Sequence, residues 1–255
     1  MWKSFTPLSF AIACFIFSSV ETFAKTPSGG VLHSIIVADT KDINIGTSCT
    51  SDARRLKRSL QAISSQLHLK AKIAVLDKSK CRCADLTKWL SKLQPSAKDV
   101  VMVFYAGHGH GDQGDSLPVL LLRDGDMRGA ALQSVIEQLP CQLSFVLFDC
   151  CNPLPYEGAA RRAHFHPIIH KGRKAEKLKP LFQSKAAITV CAARRGESAW
   201  GGRTGGYLTT GFLRAMKTPQ KKTVVSWEQI LTKARRYSAK RSHNQQHAFY
   251  TIKAR

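Results

Sequence analysis

Short apolar runs alternate along this chain with segments in which apolar residues recur every three or four positions. The runs have strand length and carry few charges, as strands buried on both faces do. The intervening segments have the period of amphipathic helices, and alternation of this kind predicts an α/β domain with a mostly parallel sheet and helices on both faces. The strand-like runs are Val31–Ala38, Ala71–Leu76, Val100–Tyr105, Val119–Leu122, Leu143–Phe148 and Ala187–Ala192.

Two helix starts can be read from polar residues. Thr50, Ser51 and Asp52 precede a periodic apolar stretch and are expected to cap its first turn. Ser226 and Gln229 have the spacing of a capping box at the start of a later helix.

The charge of the chain is strongly unbalanced. Among 255 residues, 39 Lys and Arg face 17 Asp and Glu, for a formal net charge of +22. Such a surplus attracts polyanions and anionic surfaces, but it does not distinguish a binding protein from an enzyme.

The first residues have the pattern of an export signal. Met1–Lys3 is cationic, Leu8–Val20 is mostly apolar, and Thr22–Ala24 offers small residues at a cleavage site. We expect a signal peptide over residues 1–24, a single domain over 25–255, and a secreted or periplasmic protein. No later run approaches the ~20 apolar residues of a membrane span.

Two strand-like runs are followed by residues that carry chemistry. Val100–Tyr105 leads into Ala106-Gly107-His108-Gly109, and Leu143–Phe148 leads into Asp149-Cys150-Cys151. Ligands collect at the carboxyl ends of parallel strands, and an imidazole beside a thiol can perform acyl transfer such as peptide hydrolysis. The alternative is a tight glycine turn beside inert, buried cysteines.

The same segments resemble a known family. Phe104–Gly109 is similar to the histidine motif of the caspase-like clan, especially metacaspases and bacterial caspase homologues (C14-type peptidases), and Asp149–Cys151 is similar to their Asp-x-Cys motif. Ala192–Ala199, Gly205–Thr209 and Gln245–Phe249 extend the likeness more loosely. The resemblance implies a caspase-like three-layer sandwich with a mostly parallel six-stranded sheet.

Site residues follow from the resemblance. His108 corresponds to the general acid/base and Cys151 to the nucleophile, with the N–H groups of Gly109 and Cys151 as the oxyanion hole. Asp149, Ala106 and Asp85 are expected at the substrate pocket, where a carboxylate favours peptides with Arg or Lys before the cut. No metal and no cofactor are expected.

The resemblance also divides the domain. A large-subunit-like part over about 31–155 and a small-subunit-like part over about 186–255 flank a basic linker at 156–185, which we expect to be an exposed loop open to self-processing. Asn152 and Pro153 replace the small polar residue and glycine usual after the nucleophile, and Ala106 replaces a common serine. These departures and the charge keep open an alternative, a catalytically inactive domain that binds a protein or polyanion.

Overall fold

We describe the chain from a computed structural model, which covers residues 30–154, 175–217 and 225–255. The expected signal peptide and most of the basic linker lie outside these ranges.

A six-stranded sheet forms the centre of the protein. Its strands are β1 (Val31–Ala38), β2 (Lys70–Asp77), β3 (Val100–Ala106), β7 (Leu143–Asp149), β8 (Ala186–Cys191) and β11 (Phe249–Ala254). Their spatial order is β11-β8-β7-β3-β1-β2, and all neighbouring pairs are parallel except the antiparallel pair of β11 and β8. The predicted mostly parallel sheet of six strands, with helices on both faces, is therefore confirmed.

Two smaller sheets join this frame. An antiparallel sheet follows β3 and contains β4 (Gly109–Gly111), β5 (Pro118–Leu122) and β6 (Gly125–Arg128). A short hairpin pairs β9 (Gly201–Gly202) with β10 (Gly205–Gly206). The run Val119–Leu122 thus forms a strand, but in the antiparallel sheet, because the chain after β3 first forms β4 and β5 pairs with β4 in the opposite direction.

The helices cover both faces of the central sheet. One layer contains α1 (Gly46–Gln66), α4 (Lys179–Phe182), α5 (Tyr207–Lys217) and α6 (Trp227–Arg241), whose apolar residues share one core. The other layer contains α2 (Cys83–Ser91), α3 (Gly129–Glu137) and the antiparallel sheet around a second core. Short 3₁₀ helices occupy Lys78–Lys80 and Ala175–Leu178.

Aromatic rings join β3 and β7 to the helices of the first layer. The Phe145 ring lies 5.3 Å from Phe212 of α5 and 5.3 Å from Trp227 of α6, and Phe104 lies 5.7 Å from Phe145. Each such pair contributes about 0.5–1.5 kcal/mol beyond the area it buries. This packing holds α5 and α6 against β3 and β7 at the centre of the sheet.

Two expectations about element boundaries need correction. The helix expected to begin at Thr50–Asp52 starts at Gly46, so Asp52 lies within α1 and is completely buried. The end of the expected linker loop is helical, and Leu181 and Phe182 of α4 are buried in the core. The Ser226 capping box at the start of α6 is confirmed.

Candidate active site

Neighbouring parallel strands bring His108 and Cys151 to the same edge of the sheet. Ala106 of β3 pairs with Asp149 of β7, and His108 and Cys151 each lie two residues beyond these partners. Adjacent strands are about 4.8 Å apart, so the two segments leave the sheet side by side. The register therefore places the predicted acid/base and the predicted nucleophile just beyond neighbouring strand ends, at the same edge of the sheet.

The direction of the side chains separates Cys151 from Cys150. A β-carbon built on Gly109 lies 2.9 Å from the Cys150 sulfur, so Cys150 faces the side toward which Gly109 points. Cys150 belongs to the core under α2 and α3, whereas Cys151 belongs to the core under α1, α5 and α6. Because successive side chains alternate, His108 is expected to project to the Cys151 side.

The His108 ring contacts a carboxylate. Its Nε2 lies 3.0 Å from the Asp42 Oδ2, and the histidine side chain is 37% exposed. The other Asp42 oxygen accepts hydrogen bonds from the Asn44 and Ile45 amides at 2.7 and 2.8 Å. Burial raises the pKa of the Asp42 carboxyl, but the hydrogen bonds from these amides and from His108 outweigh burial, so the pKa lies below its usual value.

The Tyr105 hydroxyl supports the turn that carries His108. It lies 2.6 Å from the His108 carbonyl oxygen and 2.8 Å from that of Leu121. Burial raises the pKa of Tyr105 well above its usual value, so the phenol remains a hydrogen-bond donor.

The Cys151 thiol lies against the segment that precedes the β9–β10 hairpin. The Ala199 N–H donates to Sγ at 3.3 Å, Sγ lies 3.7 Å from the Ala199 oxygen, and Cys151 is 3% exposed. The Trp200 N–H, next along this segment, donates to the buried Gln246 side chain at 2.8 Å. The loosely matching phrase at Gln245–Phe249 thus helps to hold the chain that covers the Cys151 thiol.

The Gly109 amide is directed away from β5. The Leu121 N–H donates to the His108 carbonyl at 3.1 Å, so the paired residues Gly109 and Leu120 form the non-hydrogen-bonded type of antiparallel pair. In such a pair the N–H points away from the partner strand. The Gly109 N–H therefore faces the chain that leaves β7, which is the side its expected role in an oxyanion hole requires.

Two buried carboxylates meet at Gly206. Asp52 accepts a hydrogen bond from the Gly206 N–H at 2.7 Å, and Asp149 accepts one from the Thr209 N–H in the first turn of α5 at 3.0 Å. A β-carbon on Gly206 would lie 2.5 Å from the Asp149 Cγ. Arg55 lies nearby and donates to the Thr204 carbonyl and the Thr210 hydroxyl.

The predicted pocket residues fall in different places. Ala106 is buried beside Asp149 in the sheet register, on the side of the core that contains Cys151. Asp85 lies on α2, which packs on the opposite layer through Leu86. The structure brings Ala106 and Asp149 together, but it does not bring Asp85 to their pocket.

Sequence reasoning missed two carboxylates of this site. Asp42 lies in a polar loop 66 residues from His108, and no local pattern in the sequence links the two. By sequence Asp52 is a candidate helix cap, but the apolar residues at Cys49, Ala53 and Leu56 place it on the buried side of a helix that begins earlier. A charged residue on an apolar helix face is the signal that identifies it.

Within the described ranges, no group of three or more His, Cys, Asp and Glu side chains is arranged to hold a metal ion. Two acidic residues near the antiparallel sheet serve local structure: Asp112 pairs with Arg128 at 2.6 Å, and Asp124 accepts from the Ala84 N–H at 3.2 Å. No helix in this part of the chain has the length and apolarity needed to cross a bilayer.

A mostly parallel sheet with a histidine and a cysteine just beyond adjacent strand ends is the arrangement expected of an α/β cysteine peptidase. The family model of the caspase domain of C14 peptidases matches residues 43–253 of this chain. The chain therefore belongs to the C14 peptidase family. No curated protein sequence is significantly similar to the chain.

Solved structures agree with the fold. Protein GSU0716 of Geobacter sulfurreducens has a TM-score of 0.52 and 14% identity, with 90% of this chain and 94% of that chain covered. Caspase-1 of Spodoptera frugiperda has the same TM-score and identity, with 90% and 87% covered. At this level of identity, the likeness establishes the caspase-like α/β sandwich alone.

Proposed function

We propose that the chain is a cysteine endopeptidase in which Cys151 is the nucleophile and His108 the general acid/base. The observation that carries this assignment is the β3–β7 register, which sets both residues two positions beyond paired strand ends in a C14 peptidase domain. His108 accepts the thiol proton, the thiolate attacks the peptide carbonyl carbon, and the Gly109 and Cys151 N–H groups stabilise the oxyanion. The imidazolium then protonates the leaving amine, and water hydrolyses the acyl-enzyme.

The test is hydrolysis of a fluorogenic peptide by residues 25–255, compared with matched variants. We expect Cys151→Ala to abolish hydrolysis and Cys150→Ala to retain it, because Cys150 faces the other core. His108→Ala should lower kcat by about 10²–10⁴-fold. Loss with Cys150→Ala alone would reassign the nucleophile, and inactivity of the unmodified chain under reducing conditions, with and without calcium, would refute the proposal.

We further propose a preference for Arg or Lys before the cut. Asp52 and Asp149 are both buried at Gly206, near the Cys151 end of β7, and buried carboxylates favour a cationic partner. Peptides with Arg, Lys, Leu or Asp at that position measure the preference. Asp52→Asn should raise KM for the Arg peptide and leave the Leu peptide unaffected; equal effects on both would contradict a role in specificity.

Self-processing is proposed for the basic linker. Residues 156–174 of the linker lie outside the described ranges and contain Arg161-Arg162. Ala199 covers the Cys151 thiol, and cleavage of the linker after one of its basic residues, of which the first is Arg161, would free the chain that follows Cys151. Mass spectrometry of the purified chain and of Cys151→Ala tests this idea: cuts after Arg or Lys within 156–174 are expected only with Cys151 intact.

Export is proposed from the first residues, which lie outside the described ranges. A signal peptide over Met1–Ala24 would direct the domain to the periplasm or the exterior and would then be removed. N-terminal sequencing of the protein from its native compartment should begin at Lys25; retention of Met1 would contradict export.

A second candidate function is polyanion binding, because one face of the domain carries exposed cations and very few carboxylates. We define the basic face as the outer surface of α1, α5 and α6, whose only carboxylates are the buried Asp52 and the exposed Glu228. Its exposed cations are Arg54, Lys57, Arg58, Lys217, Lys233, Arg235, Arg236 and Lys240. Carboxylates of the opposite layer include Asp85, Asp112, Asp124, Asp126 and Glu137.

Salt-dependent elution from a heparin column tests this second function. Arg235→Glu with Arg236→Glu should lower the eluting salt concentration, whereas Lys88→Glu with Lys92→Glu at α2, which changes the net charge equally, should change it little, because these lysines lie on the opposite layer. Equal shifts in both variants would indicate attraction by net charge without a binding face. Binding that persists in a chain without hydrolytic activity would favour the inactive-domain alternative.

A further inference from the structure

One nitrogen of the His108 ring is already engaged. Nε2 lies 3.0 Å from the Asp42 Oδ2, which leaves Nδ1 as the ring nitrogen available to a thiol on the neighbouring strand end. A neutral imidazole carries its proton on one nitrogen, and the partner of that nitrogen fixes the tautomer. A carboxylate at Nε2 therefore selects the form in which Nδ1 has a free lone pair.

The Asp42 carboxylate is itself held in place. Its Oδ1 accepts from the Asn44 and Ile45 amides, and its backbone carbonyl accepts from the Gly46 N–H at 2.9 Å at the start of α1. With one oxygen fixed by two amides, the other is presented to His108 in a single orientation. The contact thus connects the acid/base to a rigid element of the first helical layer.

Other charged groups near these strand ends face different partners. Asp39 lies 3.8 Å from Arg123, and His110 lies 3.7 Å from Asp126. Among the described residues, Asp42 is the carboxylate within ion-pair distance of His108.

We infer that Asp42 positions His108 and completes a Cys151–His108–Asp42 triad. It holds the Nε2–H tautomer, so that the Cys151 S–H proton moves to Nδ1; the S–H bond breaks, the Nδ1–H bond forms, and the positive charge of the resulting imidazolium lies beside an ionised carboxylate. Asp42 remains ionised throughout. Asp42 touches no reacting atom and is a positioning residue.

The positioning role of Asp42 rests on the peptidase activity proposed above. The kinetic test therefore includes variants that distinguish failure of the positioning role from failure of the peptidase proposal. Asp42→Asn should lower kcat by about 10–100-fold, a fraction of the 10²–10⁴-fold that acid–base catalysis supplies, with KM changed less than about twofold. Asp39→Asn is the matched control, because it removes the same charge from the same loop without touching His108, and it should leave kcat within about twofold.

A spectroscopic measurement tests the inference without hydrolysis. Nitrogen-15 NMR of ring-labelled chain, with His108 assigned from His108→Gln, reports which nitrogen carries the proton. We expect Nε2–H for neutral His108 in the unmodified chain and loss of that preference in Asp42→Ala. Circular dichroism confirms that each variant is folded; if Asp42→Ala is unfolded, the tautomer of the unmodified chain and of Asp42→Asn decides.

The outcomes separate the two proposals. If Cys151→Ala is inactive while Asp42→Asn retains full kcat, the peptidase proposal stands and the role of Asp42 is overturned. If the unmodified chain is inactive, the peptidase proposal fails and the tautomer alone decides: Nε2–H dependent on Asp42 supports the positioning role. A proton on Nδ1 in the unmodified chain, or a tautomer indifferent to Asp42, overturns the role even where kcat falls.

Discussion

Replacement of Gly206 by alanine tests the carboxylate arrangement beneath the candidate site. The backbone at Gly206 is outside the left-handed region, so alanine meets no conformational barrier there, but its β-carbon would lie 2.5 Å from the Asp149 Cγ and closer still to Oδ2. Because this contact is impossible, the carboxylate must leave the Thr209 N–H at the start of α5.

The cost can be worked out from that displacement. A hydrogen bond to a charged group contributes about 1.5–3 kcal/mol, and an anion at a helix N-terminus adds about 0.3–1 kcal/mol. The free energy of unfolding should therefore fall by about 2–4 kcal/mol. For a domain of this size, that corresponds to a decrease in Tm of about 5–15 °C.

The assay is urea and thermal unfolding followed by circular dichroism, with two controls. Gly114→Ala should cost less than about 0.5 kcal/mol, because the nearest atom to its β-carbon is the Asp112 Oδ1 at 4.0 Å. In an Asp149→Ala background the added Gly206→Ala should cost little, because the obstructing carboxylate is gone. Additive costs in the double variant would refute the reasoning, since only residues in contact couple strongly.

Two further predictions concern thiol reactivity and acid stability. Burial raises the pKa of Cys81 to about 12, so we expect iodoacetamide at pH 8 to leave Cys81 unmodified in the native chain and to modify it in the unfolded chain. Labelling of Cys81 in the native chain, located by mass spectrometry, would contradict this expectation. Burial raises the pKa of Asp99, but hydrogen bonds from the Ser96 and Val31 amides and from His33 outweigh burial, so the pKa lies below its usual value. Such a group stabilises the fold above the unfolded pKa of about 3.9, and that stabilisation is lost as pH falls through the lower folded pKa. Asp99→Asn should therefore cost about 1.5–3 kcal/mol in urea unfolding at pH 7 and less at pH 3, while a cost independent of pH would argue against an ionised Asp99 in the fold.

Much of the fold could be predicted because burial leaves a local pattern in the sequence. The run Val100–Tyr105 is apolar throughout and forms a central strand, whereas Val119–Leu122 has the same composition and forms an antiparallel strand elsewhere. Composition indicates that a segment is buried in a sheet, but the length of the connecting chain and the neighbours determine which sheet it joins.

The sequence by itself determined the alternation of strands and helices, the capping box at Ser226, and the positions of His108 and Cys151 just after apolar runs. These features depend on residues within a few positions of one another, so the local pattern is sufficient. Only the tertiary structure decided which carboxylates reach the site: Asp42 meets His108 across 66 positions and Asp52 meets Gly206 across 154, while Asp85 lies on the opposite layer. The reason is that the path of a loop and the face on which a helix packs depend on the whole core, and local spacing does not record them.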